Sequence, residues 1–379
     1  MPKRFSLLDL VLLALLLAGL GAFVYGATGS DSQRAWQIYL VNLLFWSGMA
    51  QAGVVFAAIL HLTNARWAGP VKQLALGGAA CLPVSFLLFL GLYFGREQLF
   101  PWLHHPIPEK AAWLNLPSLF ARDGLALLVL YGSSLLFFYY SMRADRSEDE
   151  RRRNHRRLSV LAPLLVFLYA IVFSLLGFDL VMSLSPHWYS TLFGGYFFVG
   201  NLYLGLAGLA IVAAVVRRYF HLEAHLGPPR FHDLGKLVFA FCLLWTYLFW
   251  SQYLVIWYGD VPEETGFIFT RVKQELWSPL AWSVLGLCFL VPFVLLLSRE
   301  VKRRPGSLSA VCGVVLVGMW LERYILVVPS LWKENWVPFG ALEVFITLGF
   351  FSVTALCYRF FLRTFPLVRP EDSDSVHST

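Results

Sequence analysis

The sequence predicts an all-α integral-membrane protein of about ten transmembrane helices, with both termini in the cytoplasm. Three observations predict it. Of 379 residues, 58% are hydrophobic and only 14% charged, with a mean hydropathy of +0.64, whereas a soluble globular chain carries about 25% charged residues. Ten apolar runs each approach the roughly 20 residues that a helix needs to cross about 30 Å of hydrocarbon. When the runs are threaded alternately, 22 of the 30 lysines and arginines fall on the side of the termini; by the positive-inside rule that side is cytoplasmic.

The first run, 6 to 26, follows Lys3 and Arg4 in the manner of a signal peptide. It is longer than the 7 to 15 apolar residues or so of a signal core, so it reads as a retained first helix. The next three runs, 36 to 62, 73 to 95 and 124 to 142, are separated by short polar turns and by the Pro- and His-rich connection Arg96 to Asp123. The charged connection Arg143 to Arg157 carries RRRNHRR, a stop-transfer and lipid-contact patch. Runs 158 to 184 and 187 to 216 follow almost without a break. In the second of them Ser185-Pro186 fits an N-cap with proline in the first helical position, so a tight hairpin is expected there. The last four runs are 235 to 258, 276 to 298, 307 to 328 and 340 to 362. Residues 1–368 form one membrane domain on this reading, and the polar residues 369–379 a disordered cytoplasmic tail.

This topology also accounts for the net charge of +7 and the pI near 9.2. The basic excess faces anionic lipid headgroups, and no nucleic-acid partner is implied. The five cysteines, Cys81, Cys242, Cys288, Cys312 and Cys357, sit singly in apolar runs without CxxC or CxxCH spacing, which excludes iron–sulfur, zinc and c-type haem sites. Most histidines fall in connections or the tail, leaving His61 and His187 at opposite ends of spans, so no bis-histidine haem pair is expected. P-loop and HExxH motifs are absent from the sequence.

Charge in hydrocarbon costs at least about 2.5 to 3.5 kcal/mol per residue, so an ionisable group in a span marks a tie or a site. Here such groups gather toward the outer face: Asp123 at the opening of span four, Asp179 at the end of span five, His187 in the first turn of span six. Gln252 and Tyr253 interrupt span seven, and Asp260 follows it. Pro262 then starts a short helix whose first turn carries Glu263 and Glu264. Glu322 and Arg323 are neighbours in span nine; about 100° apart on a helix, they are expected to pair with other helices. Glu343, at the start of span ten, fits the headgroup level. Asp179 beside a helix N-terminus suits proton exchange at the outer surface, and equally a tie between helices.

Three stretches, GFDLVMSLSPHWYSTLFGGYFF (Gly177 to Phe198), FWSQYLVIWYGDVPEETGFIFTR (Phe249 to Arg271) and MWLERYILVVPS (Met319 to Ser330), precede a last helix ending in RFFLRTFPLV. In that order they resemble the ActF subunit of bacterial alternative complex III, a quinol:electron-acceptor (cytochrome c) oxidoreductase, within the wider NrfD/PsrC-like membrane family. The resemblance covers Leu158 to Val368, and the first four spans agree in number and spacing.

The resemblance implies ten helices built around two four-helix bundles in the bacterial inner membrane. It implies a paralogous NrfD-like subunit alongside, with periplasmic iron–sulfur and haem c subunits holding the redox centres. No cofactor bound covalently or through metal ligands is then expected in this chain; quinone or quinol is the molecule handled, here or in the paralogue. Asp179, His187, Asp260, Glu263, Glu264, Glu322 and Arg323 match its motifs. Asp179 and His187 become a proton-exchange or quinone-headgroup pair, and Glu322 with Arg323 an interior relay or tie. A secondary transporter and a purely structural anchor for periplasmic redox subunits are the alternatives. The outward bias of the polar residues and the absence of a visible repeat speak against the first.

Overall fold

In hydrocarbon every backbone N–H and C=O must be satisfied inside the chain, and a helix does so segment by segment. The computed structural model describes residues 6–143 and 147–367, without the side chains of Arg66 and Glu263. Among them are ten helices long and apolar enough to cross a membrane: α1 (Leu7–Thr28), α2 (Ser32–Leu62), α3 (Gly69–Leu99), α4 (Leu116–Met142), α5 (Glu148–Leu184), α6 (Phe193–Tyr219), α7 (Pro228–Gly259), α8 (Ser278–Leu297), α9 (Pro305–Leu331) and α10 (Ala341–Thr364). The tail 369–379 lies outside the described residues.

The helices α2 to α5 pack in sequence order with α5 returning to α2, which makes one four-helix bundle. Helices α6 to α9 repeat the arrangement, with α9 returning to α6. The bundles join chiefly along α2 and α6, and α1 lies along α10 beside α2. The expected two-bundle, ten-helix fold is therefore the observed one.

Close approach at these seams depends on absent side chains. A Cβ on Gly48 of α2 would lie 2.2 Å from Asn201 Oδ1 of α6, and one on Gly19 of α1 would lie 2.5 Å from the Gly349 Cα of α10. Three helices depart from regular α geometry: α3 passes through 3₁₀ stretches at Gly77–Cys81 and Leu92–Gly95, α5 ends in one at Met182–Leu184, and α8 passes through a π-helical one at Gly286–Leu290.

Two helix starts differ from the sequence reading. Helix α4 begins at Leu116, because Asn115 accepts from Ser118 N at 2.9 Å as N-cap and Pro117 sits in the first turn. Asp123 therefore lies inside the helix and not at its opening. Helix α6 begins at Phe193, not at His187. Ser185 does not cap it: its hydroxyl pairs with Ser330 Oγ of α9 at 2.9 Å, a tertiary bond that displaces the local one. The tight hairpin is replaced by a longer connection, residues 185–192, after the 3₁₀ turn Met182–Leu184 that closes α5. Lys110 Nζ holds that connection by donating to Pro186 O at 2.6 Å.

Candidate functional site

Two polar centres lie in the half of the molecule away from the termini, one in each bundle. In the second bundle, Glu322 and Arg323 of α9 are 3% and 0% exposed. Tyr196 of α6 donates to Glu322 Oε1 at 2.6 Å, and Arg323 Nη1 donates to Glu322 Oε2 at 2.5 Å. Arg323 Nη2 donates to Asn201 Oδ1 at 2.9 Å, and its guanidinium lies 4.3 Å from the Phe197 ring centroid. The two neighbours thus pair with each other as well as with α6, against the expectation from their angular separation. At a buried seam an unpaired charge costs more than bending a long arginine back to its neighbour.

Glu322 and Tyr196 also border a cavity of about 650 Å³ between α6, α7, α8, α9 and the short helix Pro262–Val272. Its walls are mainly aromatic and aliphatic, including Phe193, Phe249, Trp282 and Phe289; Gln252 and Tyr253 of α7 line it too. The π-helical turn of α8 contributes Phe289 and Leu290, in keeping with the tendency of such bulges to border functional sites. Volume and lining match a site for an apolar molecule with a small polar head.

Arg271, on the short helix, closes one side of the cavity and follows from a proline. Pro329 has no N–H, so the Ile325 carbonyl one turn earlier is left without its helical donor. Arg271 Nε donates to that carbonyl at 2.9 Å; its Nη2 donates to Leu326 O at 2.9 Å and Ser330 Oγ at 2.7 Å, and its Nη1 to Phe267 O at 2.9 Å. Burial pushes its guanidinium down to about 9, still charged at neutral pH. Four of its N–H donors meet neutral oxygens of the protein, which fixes Arg271 in the cavity wall without cancelling its charge.

In the first bundle, Asp179 of α5 is 0% exposed. Its Oδ2 accepts from Arg122 Nη2 at 2.7 Å and Nε at 2.9 Å, and its Oδ1 from Trp113 Nε1 at 2.8 Å. The Arg122 guanidinium lies 3.9 Å from the Trp113 ring centroid, which holds the fork in place. Asp123, one residue on, is also 0% exposed.

The remaining predicted residues are dispersed. His187 is exposed in the α5–α6 connection, while its neighbour Trp188 is buried and stacks on Phe267 at 3.7 Å between centroids. The partners of Asp179 come from α4 and the connection before it, and His187 is not among its hydrogen-bond or ion-pair partners. Asp260 ends α7 in the left-handed conformation (φ 47°) and is exposed. Pro262 does start the short helix that carries Glu264, which is partly exposed; the side chain of Glu263 lies outside the described residues. Glu343 is 1% exposed, its side chain enclosed by protein in the first turn of α10. It accepts from Gly340 N at 2.7 Å and from Arg34 Nε and Nη2 at 3.0 Å, closing the start of α10 onto α2.

Sequence reasoning missed Arg122, Trp113, Tyr196, Asn201 and Arg271 as partners. Pro329 was the one local signal available, since a proline in a span leaves a carbonyl for some donor to claim. Among the described residues, no three His, Cys, Asp or Glu side chains gather in a way that could hold a metal ion.

A family model described as polysulphide reductase, NrfD, matches residues 26–333. That range takes in all of α2 to α9, the two bundles, and leaves out most of α1 and all of α10. No curated protein sequence matches the chain.

Proposed function

The chain belongs to the NrfD family, multi-pass membrane subunits of quinol- and polysulphide-oxidoreductase-type respiratory complexes that typically partner with iron–sulfur subunits, and we propose that it serves a quinol:cytochrome c oxidoreductase of the alternative complex III type. In this reading it is an ActF-like subunit of a bacterial inner membrane with cytoplasmic termini. It stands beside a paralogous NrfD-like subunit and periplasmic iron–sulfur and haem c subunits. Its contribution is quinone binding and proton transfer at the outer face.

The observation that carries the reading is the 650 Å³ apolar cavity bordered by Glu322 and Tyr196 and lined by Gln252 and Tyr253. The fit is chemical. Glu322 is paired with Arg323 and accepts a hydrogen bond from Tyr196, while Arg271 is hydrogen-bonded to neutral oxygens only. A molecule with a small polar head and an apolar tail suits these walls. Bound quinol would supply electrons for the partner subunits and protons for this face. Gln252 and Tyr253 orient the head; the Glu322 carboxylate is the first proton acceptor, with the Tyr196 hydroxyl able to relay a proton to it by passing on the hydrogen it donates; Arg323 fixes that carboxylate. Asp179, Asp260, Glu264 and His187 then belong to the proton-release face.

The test is labelling of the purified complex with a photoreactive quinone. Label is expected on α7 and α8, and Ala281→Trp, which projects an indole into the cavity, should reduce it together with quinol oxidation. Labelling unaffected by Ala281→Trp removes the cavity from the reading. A preparation that carries no iron–sulfur or haem c partner removes the complex assignment.

A further inference from the structure

Three of the described residues that line the cavity of the second bundle are more than half exposed: Trp250 of α7 at 56%, Trp282 of α8 at 57%, and Leu290 of the π-helical turn at 53%. A side chain that borders an interior space and also faces outward marks where that space opens. All three belong to α7 and α8, so the opening lies between these helices, on the flank of the bundle.

The packing of α8 gives the reason. Its second half, Val291–Leu297, and its π-helical turn pack on α7. There Cys242 Sγ donates to Cys288 O at 3.4 Å, and Phe239 stacks on Phe293 at 5.8 Å between centroids. The first half, Ser278–Leu285, packs instead on α9 and the short helix Pro262–Val272. Among the described residues, no hydrogen bond or aromatic pair ties it to α7; Trp250 stacks on Tyr253 of its own helix. The π-helical turn lies where the two halves of α8 change partner, and the wider turn re-aims the helix at that point.

The end of the cavity opposite the termini is covered. Phe267 of the short helix stacks on Trp188 at 3.7 Å, and Arg271 ties that helix to Ile325 O and Leu326 O of α9. The flank, by contrast, is apolar: Tyr247 and Leu254, one turn to either side of Trp250, are 65% and 44% exposed, and Val294 of α8 is 63% exposed. In a membrane such a flank meets hydrocarbon. A volume of about 650 Å³ suits a molecule of drug size. A tail long enough to dissolve its owner in a bilayer exceeds it and has to leave through the gap.

We propose that the cavity exchanges its ligand with the bilayer through the gap between the C-terminal half of α7 and the N-terminal half of α8, the head passing inward and the hydrocarbon tail resting between Trp250 and Trp282. The ligand is then a long-tailed, lipid-soluble molecule that never enters from water. This rests on the reading of the cavity as a quinone site, and adds its route of entry and the place of the tail.

Two photoreactive isoprenyl quinones test it on the wild-type complex in phosphatidylcholine nanodiscs, one reactive on the head and one partway along the tail. Head label is expected on Phe249, Gln252 and Phe289, and tail label on Trp250, Leu254 and Trp282. Tail label on a neighbouring subunit or anywhere else on the complex, or none on α7 and α8, overturns the route while the head label still supports the cavity. Absence of head label from the cavity overturns the quinone reading itself, and the route falls with it.

Discussion

Arg323 and Glu322, adjacent in sequence, form an ion pair of 2.5 Å at the seam between α6 and α9, with side chains 0% and 3% exposed. Removing one partner leaves a buried charge alone, which costs about 3–5 kcal/mol, whereas replacing both by apolar groups is often neutral. Glu322→Gln is therefore expected to lower thermal stability in detergent strongly, and the double variant Glu322→Gln with Arg323→Met to recover most of the loss. Equal losses in the single and double variants would show that the pair does not act as a unit.

Gly48 leaves room for Asn201, which in turn accepts from Arg323. Gly48→Ala places a methyl 2.2 Å from Asn201 Oδ1, and overpacking of this kind costs about 1–3 kcal/mol. A Cβ on Gly195, on the same helix as Asn201, meets nothing within 4 Å. Thermal melts should separate the two, with Gly48→Ala destabilised and Gly195→Ala unchanged.

Arg271→Lys keeps the charge but loses the planar fork that reaches Ile325 O, Leu326 O and Ser330 Oγ together. Each lost bond to a charged donor is worth about 1.5–3 kcal/mol. Amide hydrogen exchange across Pro262–Val272 should speed up in this variant, while exchange in α2 and α4 stays as in the wild type.

Arg34→Met should separate stability from function. It removes the donors that reach Glu343 at 3.0 Å and loosens α10 from α2, outside the helices that border the cavity. A lower melting point with unchanged quinone labelling is the expected result. Loss of labelling in a folded variant would assign Glu343 to the binding site.

Sequence legibility followed the range of each interaction. Helix count and span order came through because hydrophobic length is a local sum, and the runs 158 to 184 and 340 to 362 needed no knowledge of neighbours. The cap from Asn115 to Ser118 is equally local, yet the apolar run placed the start of span four at 124 and passed it over. Ser185 carried the same kind of signal, but a hydroxyl 145 positions away claimed it. Glu343 looked like a headgroup residue because nothing near it in sequence announced Arg34.

The sequence by itself determined that the chain has ten helices able to cross a membrane and that the ionisable groups within these spans gather toward one end. Both are consequences of transfer free energies that each residue carries alone. Only the tertiary structure decided that Asp179 belongs to Arg122 and Trp113 and that Glu322 borders a cavity. In a medium without water a polar group is satisfied by whichever partner the packing of other helices brings within about 3 Å, and that is set by contacts between residues far apart in the chain.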